Sequence, residues 1–242
     1  MASRRPPLMV WLAAAAALAV GVGVATVATL MEGNDHPACP DEEFGCVETG
    51  GPRGAIRIAA LLPLTGPRAA EGREALRGIE VALARRGGTM FGHPLTLVER
   101  DDACSPERAA LISRKLAIDT PEAPPIAAVI GAPCPAVTEP AAQILSDSGI
   151  PLLSWSEAEV SFIDPPPERS FFIPVEPSVS VPGFEAAYGD RYGSPPDTPW
   201  AYQAYRAAQL ILGAIDRVAI LPGDGEVLVP RVRLRDMLLE GA

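Results

Sequence analysis

Histidine is almost missing from this chain: His36 and His93 are the two copies, and neither stands at a spacing that metal ligands use. There is no G-x-G-x-x-G or Walker loop, and Gly87-Gly88 ends a helical stretch rather than opening one, so no phosphate cradle is expected. Ser154-Trp155-Ser156 lacks the glycines that flank a nucleophile elbow. His93 adjoins Pro94 with no base–nucleophile pattern around it. Asp101-Asp102 has the look of a carboxylate pair, but at the end of a strand such a pair supports a turn or a helix cap. These absences leave no catalytic residue, no metal and no cofactor to expect. A basic balance is missing as well. Thirty acidic residues face twenty Lys and Arg, a formal net charge of -10, which argues against nucleic acid as a partner.

What is present begins with an apolar leader. Arg4-Arg5 precede an uncharged run over residues 8–31, which as a helix would measure roughly 36 Å against a bilayer core of about 30 Å. Residues 1–31 are therefore read as a signal peptide or transmembrane anchor. The length favours the anchor, because a cleaved signal normally has an apolar region of about 7–15 residues. Positive charge before the run and acidic residues after it place the remainder outside the cytoplasm. Four cysteines suit that compartment. Residues 32–54 are polar, aperiodic and rich in Gly, Pro, Asp and Glu. They read as an acidic linker in which Cys39 and Cys46 close a small local loop.

Beyond the linker, short apolar runs alternate with helix-period segments. Strands are expected at Ile56–Leu62, Leu95–Val98, Ile126–Ile130 and Pro151–Ser154. Between them lie helices over about Gly72–Arg86, then one capped by Asp102 or Ser105, then Thr138–Ser148. Their inward faces are Leu76, Ile79 and Leu83; Ala109, Ile112 and Leu116; and Ala141, Ile144 and Leu145. This order predicts an α/β fold, a parallel sheet with helices on both faces. From Asp164 to Pro199 proline is dense and periodicity weak, apart from the apolar run Phe171–Ile173. A helical stripe returns at Tyr205, Ala208, Leu212, Ile215 and Ala219, and the tail reads as a turn at Asp224-Gly225, a short strand and a last helix. Tyr202 and Tyr205, at helical spacing, read as core and rim rather than an aromatic cage.

The segments "DDACSPERAA", "VIGAPCPAVTEPAA" and "SDSGIPLLSWSEAE", in that order and spacing, resemble the branched-chain amino-acid binding proteins of bacterial ABC importers, the leucine/isoleucine/valine-binding-protein-like type I periplasmic binding proteins. That resemblance implies lobe one of the periplasmic-binding-protein-like fold, and a disulfide between Cys104 and Cys134. In the family, two α/β lobes hold a small solute between them and deliver it to an ABC permease. Here "RSFFIPVEPS" resembles the exit from lobe one, and "VPGFEAAYGDRYGSPPDTPWAYQAYRAAQLILGAID" resembles a much later return into it. Most of the second lobe is therefore expected to be absent. Residues 55–242 become a shortened domain, with 55–160 and 183–242 as one lobe and 161–182 as a proline-rich connection.

Ligands of parallel α/β sheets sit at the carboxyl ends of the strands. The resemblance places a carboxylate-binding serine after the second cysteine, where this chain has Pro135, and a ligand-touching threonine where it has Ala158. The contacts left are Ser154, Ser156 and backbone amides at Ala136, Val137 and Ala158, residues that also serve ordinary caps and turns. Glu157 adds negative charge unfavourable to a carboxylate. The expectation is a non-enzymatic, exported solute-binding domain with a weakened site for a solute such as an amino acid. The alternative is a membrane-anchored interaction module, self-associating or engaging another protein, or a non-functional remnant.

Overall fold

The computed structural model describes residues 39–40, 43–51, 54–118, 124–156, 171–175, 181–223 and 225–241. Its centre is strand β2 (Ile56–Leu62), whose side chains alternate between two cores. Ile56, Ile58, Ala60 and Leu62 enter one, while Ala59 and Leu61 enter the other. Such two-sided burial is what an interior strand of a parallel sheet requires. β2 pairs in parallel with β4 (His93–Asp101) on one edge and with β5 (Ala128–Gly131) on the other. β6 (Leu152–Ser154) and β7 (Phe172–Pro174) continue in parallel, and the short β3 (Thr89–Met90) closes the opposite edge antiparallel to β4. The order β3-β4-β2-β5-β6-β7 makes one six-stranded sheet.

Helices cover both faces. On the first lie α1 (Ala69–Arg85), α4 (Phe184–Tyr192) and α5 (Pro199–Val218), with Ile79, Phe184, Tyr205 and Ile211 in a common core. On the second lie α2 (Pro106–Leu116) and α3 (Pro135–Asp147), contributing Ala109, Leu116, Val137, Ala141 and Leu145. The helix ends follow local chemistry. The Ser105 hydroxyl accepts from the Arg108 amide at 3.3 Å, with Pro106 in the first turn. α1 stops at Gly87 and Gly88, both at positive φ, and their amides donate back to Ala84 and Leu83 carbonyls at 2.9 and 3.0 Å.

Several expectations change. The second strand is longer than Leu95–Val98 and begins at His93, which is buried with Nδ1 2.9 Å from the Gly54 carbonyl. The third helix begins at Pro135, three residues before Thr138, because proline's fixed φ and missing N–H suit a first helical turn. Leu76, Ile112 and Ile144 are half-buried, and Ser113 takes a fully inward place on α2. Phe172–Pro174, inside the expected connection, is a sheet strand, and α4 occupies a stretch with little periodicity. Within the expected linker, β1 (Cys46–Glu48) pairs antiparallel with β8 (Leu228–Pro230), which leads into α6 (Arg231–Gly241). The predicted membrane segment lies outside the described residues. Among those described, no helix is long and apolar enough to cross a membrane.

Residues 175–180 are all that separate β7 from Val181, too short a stretch to hold a second sheet-and-helix lobe. The described residues contain that one large sheet and the two-stranded β1–β8 pair. α1 and α5 pack so closely that a Cβ on Gly78 would lie 2.2 Å from the Ala201 carbonyl oxygen. Gly78→Ala is expected to cost about 1–3 kcal/mol of stability by forcing these helices apart. Urea denaturation checks this, and an unchanged midpoint would contradict the close approach.

Candidate functional site

The parallel strands end together on one side of the sheet. Register pairs Leu62 with Asp101, Leu61 with Gly131 and Ser154 with Pro174, so the loops that follow share one edge. Two crosslinks brace them. The Asp101 carboxylate accepts from the Leu64 amide at 2.9 Å, the Thr65 amide at 3.2 Å, the Thr65 hydroxyl at 2.6 Å and the Ala103 amide at 3.0 Å. Arg108 donates to it at 2.9 Å. Burial works against ionisation of Asp101, but the Thr65 hydroxyl and these amides together hold its carboxyl below the ordinary value. The loop from β2 to α1 is thereby tied to the loop from β4 to α2. The second crosslink joins Cys104 to Cys134, with Cα atoms 5.6 Å apart, and fastens that loop to the start of α3. Cys39 and Cys46 form the other bridge, so all four cysteines are paired.

Asp102 lies behind this edge, fully buried, with Oδ1 accepting the Cys104 amide at 2.8 Å and Oδ2 without a partner among the described residues. Burial pushes its carboxyl up to about 6 from 3.8; the Cys104 amide opposes the shift and the charge of Asp101 adds to it. Both aspartates thus serve the turn.

The residues expected at the site separate on inspection. Ser154 is buried, its hydroxyl donates to the Ala132 carbonyl at 3.2 Å, and it accepts from the Ser156 amide at the same distance. The Thr138 hydroxyl reaches the same Ala132 carbonyl at 2.8 Å. Val137 is core, with its amide bonded to the Cys134 carbonyl at 2.9 Å. Pro135 and Ala136 are exposed at the start of α3, and Ser156 is half-buried. Ala158 and Glu157 lie outside the described residues. The chain can turn here because Gly131 has φ +134, and a Cβ there would lie 2.0 Å from the Leu61 carbonyl oxygen.

Pro135 instead borders a cleft of about 290 Å³ with Arg68, Pro133, Trp155, Pro199, Trp200 and Gln203. The Arg68 guanidinium carbon sits 5.2 Å from the Trp200 ring centroid, and Trp200 meets Trp155 edge-on at 6.1 Å. Arg68, Trp155, Trp200 and Gln203 were not expected from the sequence. The available signal was the scarcity of tryptophan: with three in the chain, two that meet at a strand end are conspicuous.

A profile of the periplasmic binding protein family matches residues 55–180, more than half of the chain, and the protein belongs to that family. The Leu/Ile/Val-binding protein of Escherichia coli (strain K12) is 34% identical over 101 residues, 41% of this chain and 26% of that protein. The chain thus matches about a quarter of the length of such curated relatives. Two solved structures share the fold. The solute-binding protein of an R. palustris ABC transporter, in complex with benzoate, superposes with a TM-score of 0.57 at 16% identity over 76% of this chain and 85% of the other. The Streptococcus pneumoniae branched-chain amino acid transporter protein LivJ, in complex with isoleucine, gives 0.55 at 15% identity over 76% and 87%.

Two outcomes follow from the bracing. Replacing Cys104 and Cys134 together by alanine is expected to lower stability by about 3–4 kcal/mol, the entropy of a loop of this length, as read by denaturant titration. For Asp102 the folded state holds its proton to higher pH than the unfolded chain, so this group's contribution to stability falls as pH rises from about 4 to about 6. Asp102→Asn removes that slope. Urea midpoints should show the variant gaining on the parent by on the order of 2–3 kcal/mol between pH 4 and pH 7. An equal difference at both pH values would contradict the raised carboxyl.

Proposed function

We propose that residues 55–242 are an extracytoplasmic solute-binding domain, related to the branched-chain amino-acid receptors of ABC importers, whose amino-acid site is weakened. On this reading, 55–160 and 183–242 form a single lobe that binds a solute without chemical change. The observation that carries it is the cleft at the carboxyl edge of a parallel sheet, where a family of binding proteins presents its ligands' contacts. Weakening is supported by the fate of the donors. Pro135 offers neither hydroxyl nor N–H, the Ser154 hydroxyl is spent on Ala132, and the Val137 amide is spent inside α3. Four paired cysteines support an oxidising compartment, and residues 1–31 would carry the domain there as signal or anchor. Delivery to an ABC permease is the role the relatives suggest.

One lobe cannot enclose a solute by hinge closure, which needs two bodies, so binding is expected to be shallow. A thermal melt of the full chain with leucine, isoleucine, valine and a set of small carboxylates tests this. For a millimolar Kd, about 10 mM solute stabilises by roughly 1.4 kcal/mol, a rise of a few degrees. Pro135→Ser, which returns a hydroxyl and an N–H to the start of α3, is expected to enlarge the response to isoleucine. Indifference to every solute would sink the reading.

A further inference from the structure

The Cys104–Cys134 bridge joins two loops whose backbone is held where residues with a Cβ rarely sit. On one side Ala103 and Cys104 have φ of 51 and 55, and on the other Ala132 has φ of 50, all in the left-handed region. Such a conformation is costly and persists only where its surroundings impose it. Here the surroundings are local hydrogen bonds. The Ala103 amide donates to Asp101 Oδ1 at 3.0 Å, the Cys104 amide to Asp102 Oδ1 at 2.8 Å, and the Ala132 amide to the Leu61 carbonyl at 2.7 Å. The bridge clamps the two turns to each other.

Its two sulfurs lie in opposite fields. Cys104 is half-buried and follows Asp101 and Asp102, whose carboxylates make negative charge on its sulfur unfavourable. Cys134 is 7% exposed and is the N-cap residue of α3, a helix of 13 residues with no acidic side chain in its first turn. The positive end of the helix dipole favours a thiolate there. An incoming thiolate therefore reaches Cys104 and expels Cys134, because exchange is faster when the departing sulfur is the better anion.

We propose that the Cys104–Cys134 bridge is a redox-sensitive latch on the carboxyl edge of the sheet: a dithiol reductant opens it, the two turns relax, and the start of α3 is released from the loop between β4 and α2. The exchange runs in two steps. A thiolate of the reductant attacks Cys104 Sγ, forming a mixed disulfide and freeing Cys134 as a thiolate. The second thiolate of the reductant then attacks its own sulfur in that mixed disulfide and releases Cys104. The protein gains two electrons and the two protons that the reductant's thiols give up, and the reductant becomes a disulfide. The consequence falls on the cleft, because Pro133 and Pro135 flank Cys134 and line it together with Trp155 and Trp200. The latch is independent of which solute this edge takes.

Equilibrating the full chain, without denaturant, in buffers of reduced and oxidised dithiothreitol tests this. Free thiols are mapped by alkylation and peptide mass spectrometry while tryptophan emission and far-ultraviolet circular dichroism are followed. Cys104 and Cys134 are expected to become free together with helix content retained, and tryptophan emission to change at the same midpoint. Ala103→Gly and Ala132→Gly, which remove the cost of the left-handed conformation, are each expected to raise the midpoint ratio of reduced to oxidised dithiothreitol roughly five-fold. Ala136→Glu, at an exposed position in the first turn of α3, is expected to slow opening several-fold by opposing the thiolate of Cys134. Brief exposure to glutathione followed by acid quenching should place the mixed disulfide on Cys104. A bridge that opens only as helix content is lost is purely structural and overturns the proposal. So do a midpoint unmoved by both glycine variants, a glutathione adduct on Cys134, and opening that leaves tryptophan emission unchanged.

Discussion

Strand β2 is the constraint on which the rest depends. It is paired along both edges and buried on both faces, so its seven residues fix two neighbouring strands and two cores at once. Small and large side chains are divided accordingly: Ala59 and Ala60 let helices approach, while Ile56, Ile58, Leu61 and Leu62 fill the space between layers. The approach on the first face is tightest where Gly78 meets the backbone of α5 at Ala201. Because β2 ends at Leu62 opposite Asp101, its register also decides where the functional edge begins. The chain turns after Leu62, Asp101 holds that turn through Leu64 and Thr65, and Arg68 follows at the entrance of α1.

At that edge, stability and availability for ligand compete for the same groups. The Ser154 hydroxyl, one of the contacts expected from the sequence, is turned inward: it and the Thr138 hydroxyl both donate to the Ala132 carbonyl, which follows a glycine that no larger residue could replace. Ala132, Ala103 and Cys104 adopt positive φ, a conformation costly for side-chain-bearing residues, and the bridge from Cys104 to Cys134 helps to hold it. The edge is therefore rigid and well satisfied in its backbone. Among the described residues, the buried polar atoms left without a partner in this region are Asp102 Oδ2, Trp155 Nε1, Thr198 Oγ1 and Gln203 Oε1.

The α/β order, most strands and the four main helices were legible because their apolar residues repeat at strand or helix period over enough length. Phe172–Pro174 escaped because three residues ending in proline between proline-rich flanks carry no pattern. Only pairing with β6 makes them a strand. Cys46–Glu48 is likewise defined by its partner Leu228–Pro230, far away in sequence. α4 has glycine in the left-handed region at both ends and an aromatic cluster under it, with Phe184 packed on Tyr188, Tyr202 and Tyr205, rather than an amphipathic stripe. The site was half legible for the same reason. Resemblance drew attention to position 135, which borders the cleft, but the facing wall comes from α5, and Gln203 lies off the apolar stripe that the sequence shows on that helix. Tertiary contact decides such residues.

A binding surface carried by one lobe has a particular physical character. Ligand pockets commonly bury most of a small molecule's surface, and a second lobe would supply the other half of that burial. On the one-lobe reading, part of a solute at this edge would stay in water, where an exposed side chain such as Arg68 acts across a screened, high-dielectric gap. Charge alone then confers little discrimination. Selectivity would then rest on groups already removed from bulk water before binding, such as those of the wall formed by Trp155 and Gln203. On that reading, loss of enclosure would also leave recognition little help from the α3 entrance, whose hydroxyl and amide donors are already engaged within the fold.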